Sequence, residues 1–216
     1  SIAFHEAGHA SVSWLLEHAN PLVKVTIVPR GNSLGAAWYL PGERSITTTE
    51  QILDEMCTSL GGRAAELLTF GKISTGALSD LEKVTKQAYA MVSIYGLNDK
   101  VGNLSFYDPN GNQFTKPYSD VTARVIDEEA SKMIEAQYQR AIKILGEHKD
   151  ELNQLAEKLL EKEVIFKEDL VAIFGVRPWD KEDDDAEPVY AEESTNEATI
   201  KENSTGTDGE EKASDG

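Results

Sequence analysis

The sequence predicts a mainly α-helical domain that carries one small β-hairpin. Over residues 1–175, apolar side chains recur at helical spacing in most segments. The alternation of apolar and polar residues that is typical of a half-buried strand is confined to one stretch after the first helix. No internal repeat is present, so the expected architecture is a set of helices with a single β ribbon.

The first helix and the hairpin open the chain. The helix is expected to end near residues 18–20, where Asn20-Pro21 breaks it. Residues 22–29 predict a strand, Gly31-Asn32 predicts a turn, and residues 34–40 predict the returning strand. This ribbon is either a purely structural hairpin or an edge strand that pairs with an extended peptide substrate. The sequence favours neither interpretation.

Helices account for the rest of the predicted domain. They are, in order, a helix capped by Thr48 or Thr49, interrupted at Gly61-Gly62-Arg63 and closed by Gly71; a helix that follows Ser74-Thr75-Gly76 and stops near Gly96; a long helix opened by Ser119; and two shorter helices at about 149–162 and 167–174. Leu155, Leu159 and Leu160 are expected to face the core. Cys57 lies inside an amphipathic helix, which indicates a packing role.

Charge divides the chain into two parts. The 216 residues carry 38 acidic and 21 basic side chains, and the formal net charge is −17. Residues 180–216 alone hold fourteen acidic residues against three lysines, with few large apolar residues. Such a segment buries too little apolar surface to offset the entropy lost on ordering it. We therefore expect a domain over residues 1–178 and a disordered acidic tail over residues 179–216.

Composition also argues against several classes of protein. An acidic chain without a basic stripe is not expected to bind nucleic acid. The lone Cys57 rules out an internal disulfide and favours a reducing compartment. No run of about 18 apolar residues is present, so no membrane span is expected. The chain starts inside a helix without a targeting pattern, which we interpret as a piece of a longer protein.

The stretch His5-Glu6-Ala7-Gly8-His9 has the H-E-x-x-H spacing of zinc peptidases. Residues four apart share one face of a helix, so the two imidazoles can bind one metal ion, and Glu6 lies off to their side, where a catalytic base is expected. The helix is apolar almost all round, and polar groups buried in it need partners. Gly8 weakens a helix interior, which indicates that another segment packs closely there.

A catalytic zinc site usually has three protein ligands. His18 lies three turns from the centre of the motif, and His148 lies in a charged cluster, so neither is a good candidate. Asp80, in the first turn of the helix after the Ser74-Thr75-Gly76 loop, and Glu66, on the helix before that loop, are candidates of nearly equal weight. The carboxylate that is not a ligand is expected to hydrogen-bond a ligand imidazole and fix its tautomer.

Three blocks of sequence occur in a characteristic order. They are His5-Glu6-Ala7-Gly8-His9-Ala10, then Gly61-Gly62-Arg63-Ala64-Ala65-Glu66, then Ser74-Thr75-Gly76-Ala77 with Asp80-Leu81 and Thr85. Together they resemble the peptidase domain of the FtsH family of membrane-anchored, ATP-dependent zinc metalloproteases, in its bacterial or mitochondrial branches. The resemblance covers about residues 1–175 and implies a mostly helical metallopeptidase domain.

The resemblance also implies a role for each candidate residue. It implies zinc held by His5, His9 and Asp80, with Glu6 as the catalytic base of a zinc-dependent endopeptidase. The resemblance therefore favours Asp80 as the third ligand and gives Glu66 a supporting role behind the ligands. Two rival interpretations remain, namely a structural zinc site in an assembly module and a metal-free helical interaction domain.

The wider setting follows from the same resemblance. In that family a hexamer of peptidase domains cleaves membrane and soluble polypeptides in protein quality control, after an AAA+ ATPase module has unfolded and threaded them. That module and the membrane anchor precede the peptidase domain and are absent from this chain. The full-length protein is therefore expected to be membrane-anchored, with the peptidase domain facing the bacterial cytoplasm or the mitochondrial matrix, and the present fragment to be soluble.

Overall fold

The elements of the structure follow the predicted order. The computed structural model describes residues 1–29, 35–40, 46–107 and 117–179. Within these residues lie six α-helices: α1 (Ile2–Leu15), α2 (Thr49–Phe70), α3 (Leu78–Ser93), α4 (Asp120–Glu147), α5 (Lys149–Lys162) and α6 (Lys167–Phe174). A short 3₁₀ helix, Thr75–Ala77, leads into α3. The predicted fold class, mainly helical with a small sheet, is confirmed.

A three-stranded antiparallel sheet has the strand order β2–β1–β3. Its strands are β1 (Leu22–Thr26), β2 (Ala36–Tyr39) and β3 (Val164–Phe166). Both strands of the predicted hairpin are present, although each is shorter than expected, and the predicted turn at Gly31-Asn32 lies outside the described residues. The sequence did not reveal β3, which pairs with β1. Within the described chain, β2 therefore pairs on one side only.

Helix α1 is buried on nearly every side and packs most closely against α2. A Cβ atom added to Gly8 would lie 2.4 Å from the carbonyl oxygen of Gly61 on α2. The two backbones approach this closely because neither position carries a side chain. The close packing that Gly8 predicted is confirmed.

Helix α2 runs without a break, so the interruption predicted at Gly61-Gly62-Arg63 is wrong. Glycine lowers helix propensity, but here contact with α1 offsets that loss. The predicted ends are correct. Thr48 and Gln51 form a capping box at the start, and Gly71 closes the helix in the left-handed conformation, with φ of 66°.

Helix α1 ends at Leu15, before the end predicted at residues 18–20. Two distant residues hold the chain out of the helix beyond that point. Asp54 on α2 accepts a hydrogen bond from the backbone N–H of His18, and Arg177 donates hydrogen bonds to two backbone carbonyl oxygens beyond the helix end. These long-range contacts satisfy backbone groups that another helical turn would have paired.

The apolar core consists of one cluster around α1 and a second cluster between α2, α3 and α4. Leu155 and Leu159 are fully buried, as predicted. Leu160 is 62% exposed, so its predicted place in the core is wrong, because it lies one position off the buried face of α5. Cys57 is buried, and this burial raises the pKa of its thiol to about 12, which agrees with a packing role.

Residues 1–180 form one compact unit. In the part of the chain that the structure describes, no helix combines the length and the apolar character needed to cross a bilayer. Apart from residue 179, the predicted acidic tail over residues 179–216 lies outside the described residues, and its disorder stays a prediction.

Candidate metal centre

Helix α1 places His5 and His9 side by side. Their ring centroids lie 4.7 Å apart, and the ring planes are nearly perpendicular, at 81°. The two residues are only 9% and 8% exposed. Two imidazoles thus meet in a region that excludes most water, as their spacing in the sequence predicted.

The loop between α2 and α3 brings a carboxylate to the same region. The Ser74 hydroxyl caps the 3₁₀ helix Thr75–Ala77, and α3 begins directly after it. Asp80 lies in the first turn of α3. Its Oδ2 atom is 3.3 Å from Nε2 of His5 and 3.6 Å from Nε2 of His9. One ligand atom from each of the three residues lies within 4.8 Å of the others.

A hydrogen bond at Nδ1 of each imidazole, on the side away from Asp80, orients the ring so that Nε2 lies toward Asp80. Nδ1 of His9 donates to the backbone carbonyl oxygen of Thr58 at 2.9 Å, and Nδ1 of His5 donates to Oε1 of Glu66 at 3.0 Å. In the neutral tautomer with Nδ1 protonated, each Nε2 carries a lone pair on the side of Asp80, which is itself an acceptor. Acceptors that face one another in this way favour a cation between them.

The donor set fits a zinc ion. Zinc prefers imidazole nitrogen and carboxylate oxygen, and ligands about 2.0–2.2 Å from a tetrahedral ion lie about 3.3–3.6 Å from one another. The separations of 3.3 and 3.6 Å between the carboxylate oxygen and the two Nε2 atoms match this spacing. Three protein ligands leave one position of a tetrahedral ion for water or substrate.

The pKa values of the cluster reflect the same contacts. Burial alone would raise the pKa of Asp80, but the adjacent imidazoles of His5 and His9 outweigh burial and hold it well below its usual value. Burial would likewise lower the pKa of His9, but Asp80 and Glu6 outweigh that effect and raise it. The cluster therefore stabilises a positive charge at its centre.

Glu66 lies on α2 behind His5 and is 3% exposed. It accepts hydrogen bonds from the Ser74 N–H at 2.9 Å and the Ser74 hydroxyl at 3.0 Å, in addition to the bond from His5. Burial alone would raise the pKa of Glu66, but these hydrogen bonds lower it. The two carboxylates that the sequence left as candidates thus lie on opposite sides of His5, Asp80 at Nε2 and Glu66 at Nδ1.

Glu6 lies beside the two histidines and against the residue that precedes β2. It is 8% exposed, and a Cβ atom added to Gly35 would lie 2.7 Å from its Oε1. Burial raises the pKa of Glu6, and His9 and His5 partly oppose that rise. A carboxyl group with a raised pKa is suited to accepting and returning protons.

These residues line a cleft of about 970 Å³, which is bounded by β2 and by loop residues 74–76. Sequence reasoning did not identify Thr58 or Tyr39 as site residues. Thr58 acts through its backbone carbonyl, which has no side-chain signal, and Tyr39 reaches the cleft only because β2 packs beside α1. Ser74 lay in one of the three sequence blocks, but its hydrogen bonds to Glu66 were not predicted.

The other two histidines lie outside the cleft, as expected. His18 follows the end of α1, and His148 lies between α4 and α5, near Glu151 and Phe174. Among the described residues, His5, His9 and Asp80 are the group whose geometry could hold a metal ion.

Comparisons with known proteins identify the family. Residues 1–173 match Peptidase family M41. The chain is 64% identical over 180 residues to the ATP-dependent zinc metalloprotease FtsH of Parabacteroides distasonis. The aligned residues make up 82% of this chain and 26% of that protein. It is 53% identical to the mitochondrial ATP-dependent zinc metalloprotease FTSH 3 of Arabidopsis thaliana, with 83% of this chain and 22% of that protein covered. It is also 50% identical to the mitochondrial inner membrane m-AAA protease component AFG3L2 of Mus musculus, with 83% and 23% covered.

The chain spans about a quarter of the length of these relatives. The resemblance to the FtsH family that the three sequence blocks indicated is confirmed by both the family match and the identities. This chain belongs to peptidase family M41.

Proposed function

We propose that this chain is the zinc metallopeptidase domain of an FtsH-type protease and that it hydrolyses peptide bonds in unfolded polypeptides. The observation that carries the proposal is the convergence of His5, His9 and Asp80 on one point, next to the buried carboxyl group of Glu6. Relatives named as ATP-dependent zinc metalloproteases support it.

His5, His9 and Asp80 would hold the zinc ion. When bound, zinc supplies Lewis acidity, which lowers the pKa of water and stabilises negative charge on the carbonyl oxygen of the substrate. Glu66 keeps His5 in the tautomer whose Nε2 is free to bind the metal, and the backbone carbonyl of Thr58 does the same for His9.

Glu6 would act first as a general base and then as a general acid. Its carboxylate accepts a proton from the water that attacks the scissile carbonyl carbon, and the resulting carboxylic acid donates that proton to the leaving amine. Burial raises the pKa of Glu6 and so makes the protonated intermediate less costly to form.

The free side of β2 offers an extended substrate a place to bind. Gly35, Ala36, Ala37 and Tyr39 line the cleft, and within the described chain β2 pairs only with β1. A peptide that adds to this edge as a further strand would run past Glu6. An unfolded segment adopts that extended conformation readily, which supports unfolded polypeptides as the substrate class and the edge-strand interpretation of the hairpin.

The full-length protein would combine this domain with an AAA+ ATPase module and a membrane anchor, and it would assemble as a homo-hexamer. Its domain would face the bacterial cytoplasm or the mitochondrial matrix and would serve the quality control of membrane and soluble proteins. The names of two relatives support ATP dependence and an inner-membrane setting, respectively. The strongly acidic composition supports the absence of a nucleic-acid partner.

Zinc content and casein hydrolysis, measured side by side on the native chain and on Glu6→Gln, test this proposal. Both chains should bind about one zinc ion, because Glu6 is not a ligand. The native chain should cleave unfolded casein, and the variant should be slower by a factor of about 10² or more. Cleavage at the native rate by Glu6→Gln would contradict the role of Glu6.

The same measurements separate the two rival functions. With a structural zinc site, a chelator would unfold the domain, and Glu6→Gln would match the native chain in every assay. With a metal-free interaction domain, the purified native chain would contain no zinc.

A further inference from the structure

Two glycines lie against side chains of the candidate site, one against a metal ligand and one against the proposed general base. Gly62 lies in the interior of α2 and faces His5, and Gly35 precedes β2 and faces Glu6. A Cβ atom on Gly62 would lie 2.6 Å from Nε2 of His5. A Cβ atom on Gly35 would lie 2.7 Å from both Cγ and Oε1 of Glu6. Real Cβ atoms essentially never approach other atoms within 3.0 Å, so in either case something must move.

Helix geometry does not explain glycine at position 62. Alanine is the better helix former, so glycine in the interior of α2 lowers helix stability. The position requires space instead, because the His5 ring occupies it. That ring is held on two further sides, since Nδ1 donates to Glu66 and Nε2 lies 3.3 Å from Asp80. It cannot retreat from a methyl group without disturbing one of these contacts.

At Gly35, the atoms that a methyl group would meet are Cγ, Cδ and Oε1 of Glu6. This outer half of the side chain can rotate about its own bonds. Strand β2 is held by its pairing with β1, and α1 is held by its burial. The carboxyl group is therefore the part that would move.

Gly8 differs from both of these glycines. Its added Cβ atom would meet the carbonyl oxygen of Gly61 at 2.4 Å and the Cβ atom of Ala65 at 2.7 Å, both on α2. Gly8 therefore serves the packing of α1 against α2, and its replacement would disturb folding itself.

We propose that Gly62 and Gly35 are positioning residues with separate tasks. Gly62 sets the place of the metal ligand His5, and Gly35 sets the place of the general base Glu6. The part that concerns Gly35 rests on the proposed peptidase function, whereas the part that concerns Gly62 rests only on zinc binding. A methyl group at position 62 weakens zinc binding, and a methyl group at position 35 slows turnover while zinc stays bound.

Three measurements on the native chain, Gly62→Ala and Gly35→Ala test the proposal. They are zinc affinity by competition with a chelating dye, thermal unfolding of the zinc-free protein, and steady-state hydrolysis of an unfolded peptide. Gly62→Ala should bind zinc about tenfold or more weakly. Its zinc-free form should still fold and unfold cooperatively, because the higher helix propensity of alanine offsets part of the cost of moving the His5 ring.

Gly35→Ala should give the opposite pattern. Its zinc affinity should stay within about twofold of the native value, because none of the three ligands moves. Its kcat should fall about tenfold or more, with little change in KM, because a small displacement of a catalytic group slows the chemical step more than it weakens substrate binding.

Two further variants serve as controls. Gly146→Ala makes the same change on α4 at a position where a Cβ atom would meet nothing within 4 Å, so it should keep the native zinc affinity and kcat. Glu6→Ala combined with Gly35→Ala tests the steric cause. Alanine at position 6 removes all three atoms that the methyl group would meet, so adding Gly35→Ala to Glu6→Ala should lower the residual kcat no further.

If Gly62→Ala bound zinc with native affinity, the assignment of Gly62 would be overturned. If the zinc-free form of this variant failed to fold, the assignment would also be overturned, because Gly62 would then be a packing residue like Gly8. Native kcat in Gly35→Ala, or a further loss of kcat when Gly35→Ala is added to Glu6→Ala, would overturn the assignment of Gly35. If the native chain binds zinc but cleaves no peptide, the peptidase proposal fails, and the zinc affinity of Gly62→Ala still decides the role of that glycine.

Discussion

Replacing Glu66 with glutamine is expected to weaken zinc binding although no zinc ligand is removed. Glu66 accepts three hydrogen bonds, from Nδ1 of His5 and from the backbone N–H and the hydroxyl of Ser74. A glutamine can keep its oxygen at the position of Oε1, where it still accepts from His5 and from the hydroxyl. Its amide nitrogen then faces the backbone N–H of Ser74, and both groups are donors.

The magnitude follows from these contacts. The backbone N–H group of Ser74 loses its acceptor, and because Ser74 is exposed and water can take the place of the carboxylate, this loss costs about 0.5–1.5 kcal/mol in the free energy of unfolding. The hydrogen bond from His5 also loses its charged acceptor, and charge-assisted bonds are about twice as strong as neutral ones. Loss of such a partner behind a metal-binding histidine lowers metal affinity by about 10–100-fold, or about 1.4–2.8 kcal/mol.

Competition with a chelating dye measures this change in zinc affinity, and Glu55→Gln is the matched control. Glu55 lies on the same helix and lines the same cleft, but it pairs with Lys83 at 2.7 Å and accepts a hydrogen bond from Gln87. Its replacement should leave zinc affinity unchanged. If Glu66→Gln and Glu55→Gln both bound zinc within about twofold of the native chain, the argument about Glu66 would be refuted.

Three further predictions concern stability. Replacing Asp54 with alanine should lower the free energy of unfolding by about 2–3 kcal/mol, since this buried carboxylate pairs with Arg140 at 2.6 Å; an unchanged midpoint in urea would count against it. Burial would raise the pKa of Asp169, but Lys158 and Lys162 outweigh burial and lower the pKa to about 2. The ionised carboxylate therefore stabilises the fold above about pH 4, and this stabilisation is lost as the pH falls toward 2. Asp169→Asn should therefore be less stable than the native chain by about 1 kcal/mol at pH 7 and equal to it near pH 2, and a constant difference across this range would contradict the assignment. Removal of zinc with a chelator should lower the thermal unfolding midpoint of the native chain, because a ligand that binds only the folded state stabilises it, and scanning calorimetry would show no shift if zinc were not bound.

The sequence predicted the parts of the site that depend on local geometry. His5 and His9 lie one helical turn apart, so their approach follows from the helix alone. The choice between Asp80 and Glu66 could not be made from spacing. They lie 75 and 61 residues from His5, and their positions depend on how α2 and the Ser74 loop pack against α1.

The errors in the predicted fold have the same origin. The end of α1 depends on Asp54 and on Arg177, which are distant in the sequence. The continuity of α2 through Gly61-Gly62-Arg63 depends on contact with α1, which outweighs low helix propensity. Strand β3 has only three residues, too few for an alternating pattern, and exists because β1 offers it a partner.

The most direct test of the zinc site is anomalous diffraction at the zinc absorption edge from crystals of the native chain. The expected result is one peak within about 2.0–2.2 Å of Nε2 of His5, Nε2 of His9 and a carboxylate oxygen of Asp80. A peak bound by other residues, or an Asp80 carboxylate that does not touch the ion, would contradict the assignment of the metal ligands and the mechanism built on it.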